Sequence, residues 1–186
     1  MTESTTTPDL LDRISAGTAR THTTEDGRHT IRMARDYDFP IADVWSAWTD
    51  PQRLPRWLGM PRGDLSLGGH VDLAMDPPDG DVTRLQVLAC EAPRLLEVTW
   101  RPTWATEEPE SRVRLELTDL DGRTHLVLTH ARLTEEGAVG YGAGWEEFLV
   151  LLEAQLARGA GRNDAAYDRK SLERGLQPYW ERVVRG

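Results

Sequence analysis

Period-two alternation, repeated in segment after segment, limits the architectures open to this chain. HVDLAM (70–75), VTRLQVLACE (82–91), LLEVTWR (95–101), SRVRLELTDL (111–120) and RTHLVLTHA (123–131) each place apolar residues on one parity. These are Val71, Leu73 and Met75; Leu85, Val87 and Ala89; Leu96, Val98 and Trp100; Val113, Leu115 and Leu117; Leu126 and Leu128. Asp72, Glu97, Arg112, Arg114 and Glu116 occupy the other parity, as in half-buried antiparallel strands with one solvated face. Asp121-Gly122 is a hairpin signal joining the last two segments. DLSL (64–67), before Gly68 and Gly69, reads as a further strand, and PPDGD (77–81) as a turn. TIRMARDYD (30–38) alternates in the same way upstream, which brings the expected sheet to seven strands.

Such a sheet needs a cover for its apolar face. AVGYGAGWEEFLVLLEAQLAR (138–158) supplies one, because Trp145, Phe148, Leu149, Leu152 and Leu156 recur at helical spacing while Glu146, Glu147 and Glu153 fall off that stripe. Glycines around Tyr141 each cost a helix about 1 kcal/mol relative to alanine, so they point to close backbone packing, expected here against the sheet. Between the first strand and the rest lies FPIADVWSAWTDPQRLPRWLG (39–59), which reads as two short helices. Pro40 opens the first, with a stripe of Val44, Trp45 and Trp48, and Asp50-Pro51 opens the second, with Leu54, Trp57 and Leu58. Residues 1–27 are rich in Thr, Ser and Asp and read as a flexible leader; 28–160 form the domain; 161–186 form an extension of short helical turns broken at Pro178. In that extension Leu172, Leu176, Tyr179 and Trp180 dock on the body or on a second copy of the chain in a homodimer.

Strand, two short helices, antiparallel strands and a long C-terminal helix is an order that resembles the α+β helix-grip fold of the START and birch-pollen-allergen (SRPBCC) superfamily. FPIADVWSAWTDPQRLPRWLG, the LGG before the third strand, PRLLEVTW, HLVLTHARL and GWEEFLVLLEAQL, in that order, are similar to the branch named for the activator of the ninety-kilodalton heat-shock protein's ATPase. The eukaryotic activator resembles this chain only through its C-terminal domain and depends on a separate N-terminal one, which residues 1–29 are too short to form, so the name does not carry the activity. The resemblance implies a cavity between curved sheet and grip helix that holds an apolar or amphipathic small molecule.

A net charge of −9 and a pI near 5.0 argue against a nucleic-acid backbone as partner. No stretch approaches the length of an apolar membrane span, and the start of the chain lacks a signal-peptide pattern, so the expected location is the cytoplasm. The lone Cys90 forms no intramolecular disulfide, and no paired-His or paired-Cys spacing supports a metal or another cofactor. Nor is there a nucleophile elbow or a phosphate loop.

Candidate ligand-binding residues are the inward or mouth-facing Trp57, Met75, Val87, Trp100, Leu115, His130, Tyr141, Trp145, Phe148 and Leu149. Trp45 and Trp48 are read as core, and Trp57 equally well as core or as pocket wall. His130 shares the parity of Leu126 and Leu128; a buried neutral imidazole bonded to a hydroxyl or backbone group is the first reading, proton transfer the second. His70 and His125 are expected to face solvent. Strand parity turns Asp72, Glu97 and Glu116 outward, leaving no inward carboxylate pair for acid–base work. Polyketide-cyclase relatives use a few polar cavity groups, for which Tyr37, His130 and Tyr141 are the nominees. A ligand-binding protein is therefore the leading expectation, with a cyclase- or aromatase-like enzyme and a chaperone-associated interaction protein as alternatives.

Overall fold

The computed structural model describes residues 16–75, 80–105, 110–159 and 169–186, with the side chains of 169–171 excepted. The leader as far as residue 15, turn residues 77–79 and the start of the C-terminal extension (161–168) lie outside the described residues.

Strand β1 (Ala19–Glu25) lies within the segment whose composition predicts a leader. It pairs in register with β2 (Arg28–Tyr37), from Ala19 opposite Ala34 to Glu25 opposite Arg28. Asp26 and Gly27 close the hairpin with φ of 49° and 70°, the double left-handed geometry of a two-residue loop. ARTHTTE carries no apolar parity because β1 is an edge strand whose side chains stay largely exposed. Pairing with β2 defines it, not burial.

Helix α1 (Ile41–Thr49) starts after Pro40, which sits at the cap position, and buries Val44, Ala47 and Trp48. The expected second helix is a single 3-10 turn, Leu54–Arg56, preceded by an Asx turn in which Gln52 N–H donates to Asp50 Oδ1 at 2.8 Å. Six strands follow: β3 (Met60–Gly63), β4 (His70–Ala74), β5 (Val82–Glu91), β6 (Leu95–Pro102), β7 (Ser111–Asp119) and β8 (Thr124–Leu133). The first of them is displaced from DLSL, because Asp64 Oδ1 accepts from Ser66 N–H at 2.8 Å and Ser66 Oγ–H at 2.6 Å, folding 64–69 into a turn.

Among the described residues the sheet has eight antiparallel strands in the order β1-β2-β8-β7-β6-β5-β4-β3. Register shifts at His29/Ile31 and at Val87/Ala89 bend it. The second shift changes which parity lies on the inner face, so at the far end of β5 that position falls to Cys90, which stays exposed, where the alternation predicts Ala89.

Helix α2 (Glu135–Gly159) runs for 25 residues, about 37 Å. It packs on β2 and β8, with Leu149, Leu152 and Leu156 fully buried. Helix α3 (Arg169–Arg185) packs on α2 and β1 and continues through Pro178, where the sequence suggests a break. The lost backbone bond is offset by docking: Leu172, Leu176 and Trp180 are all buried. That docking explains one of the glycines, Gly142. A Cβ on Gly142 would overlap the Trp180 ring, so the close approach is to α3 and not to the sheet. No helix of the described residues is long and apolar enough to cross a membrane.

Gly142→Ala is expected to cost about 2 kcal/mol in urea unfolding, overpacking outweighing the helix preference of alanine. In a Trp180→Ala background the sign reverses, and the same substitution stabilises by up to about 1 kcal/mol.

Candidate functional site

Helix α2 lies over β2 and β8, so the half of the sheet formed by β3 to β6 needs another cover. Helix α1 and the 3-10 turn provide it with bulky side chains. Between them and the sheet is an apolar cavity of about 140 Å³, walled by Val71 and Leu73 of β4, Leu85 and Val87 of β5, Leu96, Val98 and Trp100 of β6 and Val113 of β7. Trp45, Trp48, Leu54 and Leu58 close it from above, and Trp145 of α2 forms the end wall. Its rim carries Cys90 and Ala92, both exposed. Cys90 is the one titratable side chain on this wall among the described residues.

A second, more open cleft of about 420 Å³ lies between the N-terminal half of α2, α3 and the ends of β4 and β6. Met75, Trp104, Tyr141 and Phe148 line it, with Glu136 and Glu173. Trp100 and Trp145 belong to both walls and so separate cleft from cavity.

The ten sequence candidates therefore divide three ways. Val87, Trp100 and Trp145 face the cavity; Met75, Tyr141 and Phe148 face the cleft; Trp57, Leu115, His130 and Leu149 lie on neither wall and are buried in the core. Trp57 anchors the 3-10 turn by donating Nε1–H to Ala47 O at 3.0 Å, its ring 4.7 Å from that of Trp48 in a T-shaped pair. Trp45 and Trp48, expected as plain core, are on the cavity wall. Parity along β4 to β7 identifies the floor of this cavity, but nothing in the sequence tells which aromatic of α1 leaves space beneath it.

His130 is wholly buried, and both ring nitrogens are engaged. Trp145 donates Nε1–H to His130 Nδ1 at 3.0 Å, which places the imidazole proton on Nε2. Nε2–H then donates to Ser111 Oγ at 2.8 Å, and Ser111 Oγ–H donates to Trp100 O at 3.0 Å. This relay fixes the ring that ends the cavity. Burial pushes the His130 pKa down to about 3. Tyr37, also fully buried, donates its hydroxyl to Leu149 O at 3.0 Å, and burial raises its pKa.

Two wall residues carry a different signature. Trp48 Nε1 and Trp100 Nε1 are buried with no hydrogen-bond acceptor among the described residues. An unmatched buried donor costs roughly 1–3 kcal/mol. Among the described residues no group of three His, Cys, Asp or Glu side chains is arranged to hold a metal ion.

Comparison with known proteins follows the same outline. The family model described as Activator of Hsp90 ATPase homolog 1-like protein matches residues 38–157. CalU16 from Micromonospora echinospora, in its crystal structure, is 29% identical with a TM-score of 0.71, covering 91% of this chain and 99% of that one. Its solution structure gives 30% identity, 90% and 95% coverage and the same TM-score. DynU16, a protein in the dynemicin biosynthetic locus, is 28% identical over 73% of this chain and 49% of its own, with a TM-score of 0.63. MLL2253 from Mesorhizobium loti is 28% identical over 69% of this chain and 97% of its own, with a TM-score of 0.61. No curated protein matches the chain significantly.

Because the unfolded chain protonates His130 near pH 6.5 and the folded chain only near 3, the unfolded state binds more protons between those values. The stabilisation is complete above about pH 6.5 and is lost as pH falls towards 3, at about 1.4 kcal/mol per pH unit. Urea titrations of wild type and His130→Gln between pH 6 and 4.5 check this: the variant's stability should fall less steeply by about that amount. Parallel slopes would contradict it.

Proposed function

The chain belongs to the Activator of Hsp90 ATPase homolog 1-like family, and on that premise we propose that it binds a small, neutral, largely apolar organic molecule in the cavity beneath α1. The observation that carries this reading is the cavity itself: an apolar space of about 140 Å³ kept open by large side chains that belong to rigid elements. Apolar cavities of roughly 150 Å³ stay dry and accept a single aromatic ring. Among the described residues the wall carries no Arg, Lys, His, Asp or Glu, which suits an uncharged ligand, since an unpaired charge buried there would be strongly disfavoured.

The same composition weighs against acid–base catalysis. Of the polar nominees, Tyr37 and His130 are engaged in the core, and Tyr141 lies on the cleft, its ring 4.5 Å from that of His130. Binding requires none of them to change protonation. The place of DynU16 in a biosynthetic locus supports a small organic ligand for this chain as well.

Toluene or indole at about ten times its dissociation constant should raise the melting temperature by about 3–6 °C. Val87→Phe, which fills the cavity from its floor, should remain folded and lose that response. Melting curves indifferent to every small apolar compound would refute the reading.

A further inference from the structure

Five tryptophans of this chain are buried: Trp48, Trp57, Trp100, Trp145 and Trp180. Three have a protein acceptor for the indole N–H: Ala47 O for Trp57 at 3.0 Å, His130 Nδ1 for Trp145 at 3.0 Å and Glu146 Oε2 for Trp180 at 2.9 Å. The two that do not, Trp48 and Trp100, both line the cavity. A buried donor in a folded protein is normally matched, so two unmatched donors on one cavity wall need an acceptor from elsewhere.

We propose that the ligand of this cavity carries a neutral acceptor oxygen, a carbonyl or ether on a compact apolar ring, and that Trp48 and Trp100 donate their Nε1–H groups to it. This rests on the binding reading above and adds the chemistry that the ligand must present. The two indoles flank one ring, with centroids 6.2 Å and 4.9 Å from that of Trp145, so both rings stand at the same end of the cavity. Trp145 is itself held by His130, which keeps that end rigid. A carbonyl oxygen accepts two bonds and can satisfy both donors. Among the described residues the wall has no cation to balance a carboxylate, which favours an uncharged acceptor. A site with donors in place also discriminates: an oxygen-free analogue of the same shape leaves both N–H groups unmatched.

Cyclohexanone and methylenecyclohexane, which differ by C=O against C=CH2, are the probes. With indole nitrogens labelled, cyclohexanone should move the Trp48 and Trp100 resonances out of the seven present and displace the others much less. Trp48→Phe and Trp100→Phe should each weaken cyclohexanone binding by about 5–10-fold and leave methylenecyclohexane within about twofold of wild type. The labelled wild-type measurement stands even if a variant fails to fold. Binding of both probes with equal sensitivity to the substitutions, or cyclohexanone bound with both resonances unmoved, would overturn the donor role while leaving the cavity a binding site. Binding of neither probe would overturn that role together with the reading it rests on.

Discussion

Arg20, Tyr37 and Arg35 of the first hairpin reach the same face of α2. Arg20 pairs with Glu146, its Nε donating to Oε2 at 2.7 Å; Tyr37 donates to Leu149 O at 3.0 Å; Arg35 Nη2 donates to Glu153 Oε2 at 2.6 Å. Positions 146, 149 and 153 are spaced by three and four, one stripe of a helix. Glu146 is completely shielded from solvent and takes a further bond from Trp180 of α3. Removing one partner of such a buried pair costs about 3–5 kcal/mol, because a carboxylate would be left unmatched. The geometry therefore ties β1, β2, α2 and α3 into one unit.

The cavity is a consequence of where that unit sits. Held over β2 and β8, α2 contributes, among the described residues, Trp145 alone to the cavity wall. The rest of the cover comes from α1 and a single 3-10 turn, whose tryptophans are wide but too few to interdigitate with every inward side chain from β4 to β7. Closing the space would require α2 to tilt away from its polar anchors. Ligand binding, in this account, is the use made of space that the anchoring of the helix leaves behind. Cross-strand ion pairs on the outer face, such as Arg114 with Glu97 at 3.0 Å, are partly exposed to solvent and contribute little to this balance.

Alternation along β4 to β8 and the apolar stripe of α2 are sufficient to predict a one-sided antiparallel sheet under a long helix, because both patterns depend on one large apolar interface; the helix-grip fold and its family follow from the resemblance of element order and of motifs such as FPIADVWSAWTDPQRLPRWLG. What escaped prediction depends on contacts made by polar or irregular residues. ARTHTTE has no apolar parity to betray β1, although Asp26-Gly27 was a usable hairpin signal. Glu146 and Glu147 look solvent-facing on a helical wheel, yet both are buried, Glu146 under β1, which the sequence places in a leader, and under the docked helix α3. Cys90 reaches the cavity rim only because the β5 register shifts. Of the candidate residues, Val87 and Trp100 follow from strand parity and Trp145 from helical spacing, and all three line the cavity, whereas Trp48, read as core, is both buried in the core and on the cavity wall: depth of burial and adjacency to a void have the same sequence signature.

Diffraction from crystals under xenon pressure tests the central claim most directly, because xenon enters dry apolar cavities without any chemistry of its own. The account expects a xenon peak bounded by Trp48, Val87, Trp100 and Trp145. Side chains packed solidly through that space, with no xenon in it, would contradict it.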